Sequence, residues 1–308
     1  MTIQQLEYII AVSKYKHFVK AAEVCGITQS TLSSMIMKLE QELDVTIFNR
    51  NTHPVELTPM GEKVIQQAKV ILYNTAQLKE MVMSEKETKV GNIQLGIIPT
   101  VAPYLLPKLF KKIMESDSGI QLQVSELSTA LILDKLLKAE LDMAIITSPS
   151  QNDQLLEIPL YYERFVAYIS PLDPLFQEQE IVSSKMPTKH MWVLKEGHCL
   201  RNQILHFCKI KSHFSPIYEA GNIDNLIRVV DENYGYTIIP ELHIDLLSEH
   251  QKNNLRPLNS PQIVREIALV FRKDYVKEGL INGLVTLIKQ IIPEKMVDER
   301  LKKFAIKL

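Results

Sequence analysis

The segment "GHCLRNQILHFC", residues 197–208, places two thiols, Cys199 and Cys208, nine positions apart, with His198 directly before the first. Thiol chemistry runs through the thiolate, which a histidine neighbour or a helix N-terminus favours. After Cys199, the residues Leu200, Ile204, Phe207 and Cys208 fall at helical offsets, so the spacing fits a short helix with Cys199 at its start and Cys208 on its apolar side. The free N–H groups and dipole of that helix would stabilise negative charge on the Cys199 sulfur. Nine helical steps separate Cα atoms by about 13.5 Å, whereas a disulfide needs roughly 4.4–6.8 Å. A bond between the two requires the segment to unwind. Both residues also suit the plain role of small buried hydrophobes, the commonest for free cysteine.

Two threonines stand at places where strands give way to helices. Thr100 follows "IQLGIIP" and Thr129 follows "LQVSEL", the usual ligand crevice of an open α/β sheet. Each also fits an ordinary helix cap. The third cysteine, Cys25, sits in an apolar helical stretch and reads as core. Three cysteines in 308 residues are no disulfide framework. The opening "MTIQQLEYIIAVSKYKHF" has no basic start, long apolar block or cleavage site, and no apolar run nears the roughly 20 residues of a membrane span. These features predict a cytoplasmic chain, where thiols are kept reduced and a disulfide serves sensing more than structure.

The elements that position these groups follow from periodicity. Ile3, Leu6, Ile9 and Ile10 give one helical face. "FVKAAEVCGITQSTLSSMIMKLEQELD" gives two more, split at Gly26, with Thr28 as cap for a helix carrying Leu32, Ile36 and Leu39. Helix, short glycine turn, helix is the helix-turn-helix pattern. "VTIFNRNTHPVELT" supplies two short β-prone runs, a wing. Side chains near the start of the second helix would read DNA: Gln29, Ser30, Thr31, Ser33, Ser34 and Lys38, with Arg50 from the wing. The same polar residues would also make a plain solvated face. Residues 1–58 carry five basic and six acidic side chains, so bases must cluster on one face for phosphate attraction to act.

Thr58 and Pro59 open a helix predicted to run to about Lys86. Within it Val64, Ala68, Ile71, Thr75, Leu78 and Val82 keep heptad-like intervals. At about 42 Å the helix outreaches a 58-residue unit, so the stripe is predicted to meet a second copy of the chain, the plain alternative being that it packs on its own domain. From Gly91 short apolar strands alternate with helices, which implies an α/β sheet. The strand "RFVAYIS", then a return through "IALVFRK" to the closing helix "LINGLVTLIKQII", predicts a second sheet built between about 162 and 266.

"FVKAAEVCGITQSTLSSMIMKLEQELDVTIFNR" with "LTPMG" behind it resembles the N-terminal domain of LysR-type transcriptional regulators, although Asp44 stands where that family usually has glycine. The resemblance covers essentially the whole chain. It implies a winged helix-turn-helix over 1–58, described as all-α, a linker and dimerisation helix over 59–88, and an effector domain over 89–308. That domain would be α/β and periplasmic-binding-protein-like, with lobe I at about 89–161 and 267–308 and lobe II at about 162–266. "GHCLRNQILHFC" with "GIIPTVAPYLLP" is similar to the peroxide-sensing members of the family. In those, the matching groups make Cys199 the peroxidatic and Cys208 the resolving thiol of a reversible disulfide, with Thr100, Thr129, His198 and Arg265 lining the peroxide pocket. The resemblance further implies an oxidative-stress regulator that is no enzyme and needs no cofactor or metal. Its partners would be promoter DNA, a homodimer assembling to a tetramer, RNA polymerase, and a reductant such as glutaredoxin or thioredoxin, with no membrane. A family member answering to a small metabolite between the lobes, or a thiol peroxidase, is the alternative.

Overall fold

The computed structural model describes residues 1–84, 91–116, 118–150, 152–182, 186–187, 190–207, 218–259 and 264–298. It divides into two compact units, Met1–Glu87 and Thr88–Leu308.

The first unit opens with α1 (Ile3–Tyr15), started by a reciprocal cap in which Thr2 and Gln5 each accept the other's backbone N–H. α2 (Phe18–Val24) and α3 (Gln29–Leu43) follow, and the Thr28 hydroxyl accepts the Thr31 N–H to begin α3. Leu32, Ile36 and Leu39 are fully buried, as their spacing requires. α3 stops at Asp44, whose φ of +50° lies in the left-handed region, which explains the preference for glycine there. β1 (Phe48–Asn49) and β2 (Glu56–Leu57) pair antiparallel as the wing. Glu40 ties the wing to α3, accepting the backbone N–H groups of Ile47 and Phe48 at 2.7 and 3.2 Å and pairing with Arg50 at 2.8 Å.

α4 runs from Pro59 to Ser84, capped by Thr58, whose Oγ1 accepts the Gly61 N–H at 2.9 Å. A side chain at Gly61 would meet the Ile47 carbonyl oxygen at 2.1 Å, so only glycine lets α4 pass the wing this closely. The predicted seam on α4 divides. Ala68 is 1% exposed inside the unit's own core with Leu6, Ile9 and Val12, and Val64 and Ile71 pack against that same core. Ala68 is thus covered by its own chain, and Val64 and Ile71 partly so, where α1 contacts α4. Thr75 is half-buried and returns its hydroxyl to the Ile71 carbonyl. Leu78 is 59% exposed, and the Val82 side chain lies outside the described residues.

The second unit contains β3 (Gly91–Ile97), α5 (Ala102–Glu115), β4 (Ile120–Glu126), α6 (Thr129–Leu137), β5 (Met143–Thr147) and β6 (Leu155–Ile169). Then come β7 (Ile181–Val182), β8 (Val193–Leu194), α7 (Cys199–Phe207), β9 (Glu219–Ala220), α8 (Ile223–Glu232) and β10 (Tyr236–Pro240). α9 (Glu249–Lys252), β11 (Leu255–Asn259), β12 (Val264–Arg272) and α10 (Glu278–Ile291) complete it. β4, β3 and β5 lie side by side and parallel, then β12 joins antiparallel, then β6. The expected second sheet is not separate. β6 pairs with β12 from Leu155 to Arg164 and with β10 from Phe165 to Ile169, so one 15-residue strand serves both lobes. The strand expected from Arg164 instead begins at Leu155. The structure accommodates Pro159 beside a register shift at Ile267/Ala268. α7 joins the second lobe's core through Leu200 and Ile204. No described helix is long and apolar enough to cross a membrane.

Ala68→Asp is expected to destabilise the first unit by about 3 kcal/mol or more, since it buries an unpaired carboxylate. Leu78→Asp is expected to change monomer stability by less than about 0.5 kcal/mol. Urea titration of the two variants checks the division of the stripe.

Candidate functional site

The three parallel strands end together, with Ile97 of β3 opposite Glu126 of β4 and Ile145 of β5. Their carboxyl ends therefore deliver Thr100, Thr129 and Thr147 to one edge of the sheet. α7 begins at Cys199 and α6 at Thr129, so two helix N-termini share that edge. Between them lies a cleft of about 160 Å³ lined by Ile98, Pro99, Thr100, Ser128, Thr129, Gly197, His198 and Cys199. The structure thus brings together Cys199, His198, Thr100 and Thr129. Cys208 lies outside the described residues.

Arg265 enters from β12 beneath Thr100 and is fully buried. Its Nη1 donates to Thr100 Oγ1 at 2.9 Å and its Nη2 to the Thr100 carbonyl at 3.1 Å. Nε and Nη2 both reach Glu163 Oε2, at 2.8 and 2.7 Å. Glu163, equally buried on β6, also accepts the Leu242 N–H at 2.9 Å and the Tyr104 hydroxyl at 3.1 Å. Burial acts to lower the Arg265 pKa, but attraction to Glu163, Tyr104, Tyr161 and Cys199 outweighs it and raises the value, so the guanidinium stays charged. Burial likewise pushes the Glu163 carboxyl up, against the pull of Arg265.

Thr100 and Thr129 make no cap hydrogen bond for α5 or α6. Thr100 is held by Arg265 instead, and Thr129 Oγ1 is buried with no partner. His198, 7% exposed, has an unpaired Nδ1, and burial and then Lys195 lower its pKa, so the ring is neutral near pH 7. The edge therefore presents two orphaned polar atoms beside a thiol. Buried polar atoms of this kind are normally satisfied by protein, water or a bound solute.

Several polar groups escaped sequence reading. Thr147 Oγ1 lies 3.5 Å from Cys199 Sγ; "LDMAIIT" ends a strand there, and the strand-end logic used for Thr100 and Thr129 applied equally. Glu163 sits 102 positions before its partner Arg265, and nothing local marks it. Gln203, four positions after Cys199 and so on the same side of α7, is fully buried with both amide atoms unpaired.

On the helix-turn-helix, Gln29, Ser30, Thr31, Ser34 and Lys38 are exposed along α3 and Ser33 is half-buried. The Thr28 hydroxyl bonds those of Ser30 and Thr31 at 3.0 and 2.9 Å. Arg50 is held by Glu40 and lies over the Phe18 ring, 5.5 Å from its centre. Cys25 is half-buried against the unit's core.

Comparison with known proteins bears on both units. The family of bacterial regulatory helix-turn-helix proteins, lysR family, matches residues 3–62, and the LysR substrate binding domain matches residues 86–291. The chain is 34% identical over 279 residues to the hydrogen peroxide-inducible genes activator of Haemophilus influenzae, covering 88% of this chain and 91% of that one. It is 30% identical to the DNA-binding transcriptional dual regulator OxyR of Escherichia coli, covering 88% and 90%. Among solved structures, a full-length OxyR variant from Pseudomonas aeruginosa matches with a TM-score of 0.76 at 30% identity, over 94% of this chain and 98% of that one. A mutant OxyR from Corynebacterium glutamicum, H2O2-bound, matches with a TM-score of 0.64 at 26% identity, over 100% and 97%.

Glu163→Ala is expected to cost about 3–5 kcal/mol, because it strands the buried Arg265 charge; denaturant unfolding of the variant checks this. His198 folds with its pKa depressed below the unfolded value near 6.5. The unfolded chain then binds more protons in that window, so the stability contributed by neutral His198 is full above pH 6.5 and is lost as pH falls towards the folded value. His198→Gln should lose less stability than the parent between pH 7.5 and 5.5. Parallel denaturation curves at the two pH values decide the point.

Proposed function

The chain belongs to the LysR family of bacterial helix-turn-helix regulators, and from that premise we propose that it is a DNA-binding transcriptional regulator switched by hydrogen peroxide at Cys199. One observation carries the reading: a thiol at a helix N-terminus opens on a cleft whose Thr129 hydroxyl and His198 ring nitrogen are buried without partners. Hydrogen peroxide, with two O–H donors and lone pairs on both oxygens, can satisfy them. The relatives named as hydrogen peroxide-inducible genes activators support the same signal.

The chemistry is a two-electron transfer. The Cys199 thiolate attacks one peroxide oxygen, the O–O bond breaks, sulfur is oxidised to sulfenic acid, and hydroxide leaves and takes up a proton as water. Thr100, fixed by Arg265, and Thr129 hold the peroxide. His198 lies beside the sulfur, and the Arg265 charge stabilises the departing oxygen. The Cys208 thiolate then attacks the sulfenic sulfur, forming the disulfide and expelling a second hydroxide.

Disulfide closure is incompatible with an intact α7. Cys199 to Phe207 spans eight helical steps, about 12 Å, and one further residue recovers at most about 3.8 Å. That leaves about 8 Å, beyond the roughly 6.8 Å limit of a disulfide. α7 must therefore unwind, releasing Leu200 and Ile204 from the second lobe's core. The repacked lobe would rearrange a dimer of dimers on promoter DNA, with contacts to RNA polymerase altered. A glutaredoxin or thioredoxin would reset the cytoplasmic thiols.

Cys199→Ser should abolish the peroxide response, whereas Cys208→Ser should consume one peroxide and stall at sulfenic acid. Wild-type protein alone should show a shifted DNA footprint after oxidation. An unchanged footprint in protein shown by mass spectrometry to hold the Cys199 to Cys208 bond refutes the switch.

A further inference from the structure

The sulfur that attacks the peroxide must itself be held in place. The cleft residues Thr100 and Thr129 line the space where peroxide would sit. Thr147 is different: it ends β5, is 6% exposed, and reaches Cys199 Sγ at 3.5 Å from outside that lining. Its place is rigid. The backbone pairs with Ile267 of β12, two residues from Arg265, and the next N–H, of Ser148, donates to the Glu266 carbonyl at 3.0 Å. α7 packs in the second lobe's core while β5 belongs to the first lobe's strands, so this contact also joins the lobes at the reacting atom.

We propose that Thr147 is a positioning residue for the peroxide reaction, its hydroxyl donating to the Cys199 thiolate and aiming the sulfur at the cleft. The inference rests on the peroxide reading. A thiolate only accepts, so with the ionised sulfur the threonine hydrogen has one role, that of donor. Hydrogen bonding to the charged form favours that form. Nucleophilicity falls by only about half as much as the thiolate population gains, so at neutral pH the reaction gains overall. Once the sulfur carries oxygen it is a weak acceptor, and the contact loosens when α7 has to leave. The bond thus holds the reduced state and yields to the oxidised one.

The test measures sulfenic acid formation at Cys199 by dimedone trapping after stoichiometric peroxide, in full-length protein carrying Cys208→Ser so that the reaction stops there. Thr147→Val, which keeps the shape and removes the donor, should react about three- to tenfold more slowly at pH 6.5. Thr147→Ser should restore the rate to within about twofold. The deficit of Thr147→Val should shrink at pH 9, where hydroxide supplies the thiolate that the missing donor no longer favours; a purely structural defect would persist there. Thr147→Ala serves as the second donor-free variant if valine is not accommodated. Equal rates for parent and Thr147→Val at pH 6.5, or a serine variant as slow as the valine one, overturn the role of Thr147 while leaving the peroxide reading intact. A parent that forms no sulfenic acid overturns the peroxide reading itself.

Discussion

The buried ion pair between Arg265 and Glu163 is the constraint on which the effector unit turns. Two charges taken out of water carry a desolvation cost of several kcal/mol each, offset only when geometry is good and the remaining hydrogen-bonding capacity is used. Here it is used: the guanidinium reaches Glu163, the Thr100 hydroxyl, the Thr100 carbonyl and Tyr104. Glu163 answers with the Leu242 N–H and the Tyr104 hydroxyl. These partners come from β6, β12, the turn into α5, α5 itself and the segment after β10. The pair therefore stands where β6 changes partners from one lobe to the other, and it fixes the Thr100 hydroxyl as a consequence of satisfying a charge.

α7 is built to the opposite specification. The nine described residues of α7 are too few for a helix to stand alone in water, and packing holds them. Leu200 and Ile204 are buried, and Arg201 donates to the Leu194 carbonyl at 2.9 Å and pairs with Glu219. Against these stands Gln203, buried with an unpaired amide, each orphaned group of that kind costing about 1–3 kcal/mol. A rigid floor made by Arg265 and a marginal helix above it are what a thiol switch requires. The peroxide must be held in a fixed geometry, and the element bearing the thiol must then be free to leave.

What was legible in the sequence follows the range of the forces involved. Thr28, Thr58 and the Leu32, Ile36 and Leu39 face act within a turn or two of helix, and the structure has them in those roles. The division of α4 was hidden because a heptad-like interval records only that a stripe is apolar, and the cover for Ala68 comes from α1, more than 50 residues earlier. The span of β6 was hidden because its first half is held by pairing to the distant β12, with Pro159 taken in at a register shift. In the site, Cys199, His198 and the strand-end threonines announced themselves by neighbour and position. Glu163 could not, because its meaning lies in a partner on a distant strand. Thr147 could have been read, since it ends a strand as plainly as the residues before Thr100 and Thr129 do.

Charge sets the terms on which the first unit can meet DNA. Residues 1–58 hold Lys14, Lys16, Lys20, Lys38 and Arg50 against six carboxylates, so few cations are available to displace counterions. Arg50 is already engaged, its guanidinium shared between Glu40 and the Phe18 ring, and Glu40 cannot be given up cheaply because it also holds the Ile47 and Phe48 N–H groups at the root of the wing. A phosphate approaching the wing would add to the Arg50 and Glu40 arrangement more readily than replace it, which keeps the wing's backbone fixed on binding. α3 also exposes hydroxyl and amide groups at Gln29, Ser30, Thr31 and Ser34, groups of a kind suited to base edges and neutral phosphate contacts. Where single-copy binding is weak, several copies engaging one operator together would strengthen it, because linked sites multiply weak individual affinities. A signal that repositions the copies relative to one another can then change occupancy or spacing without altering any single reading head.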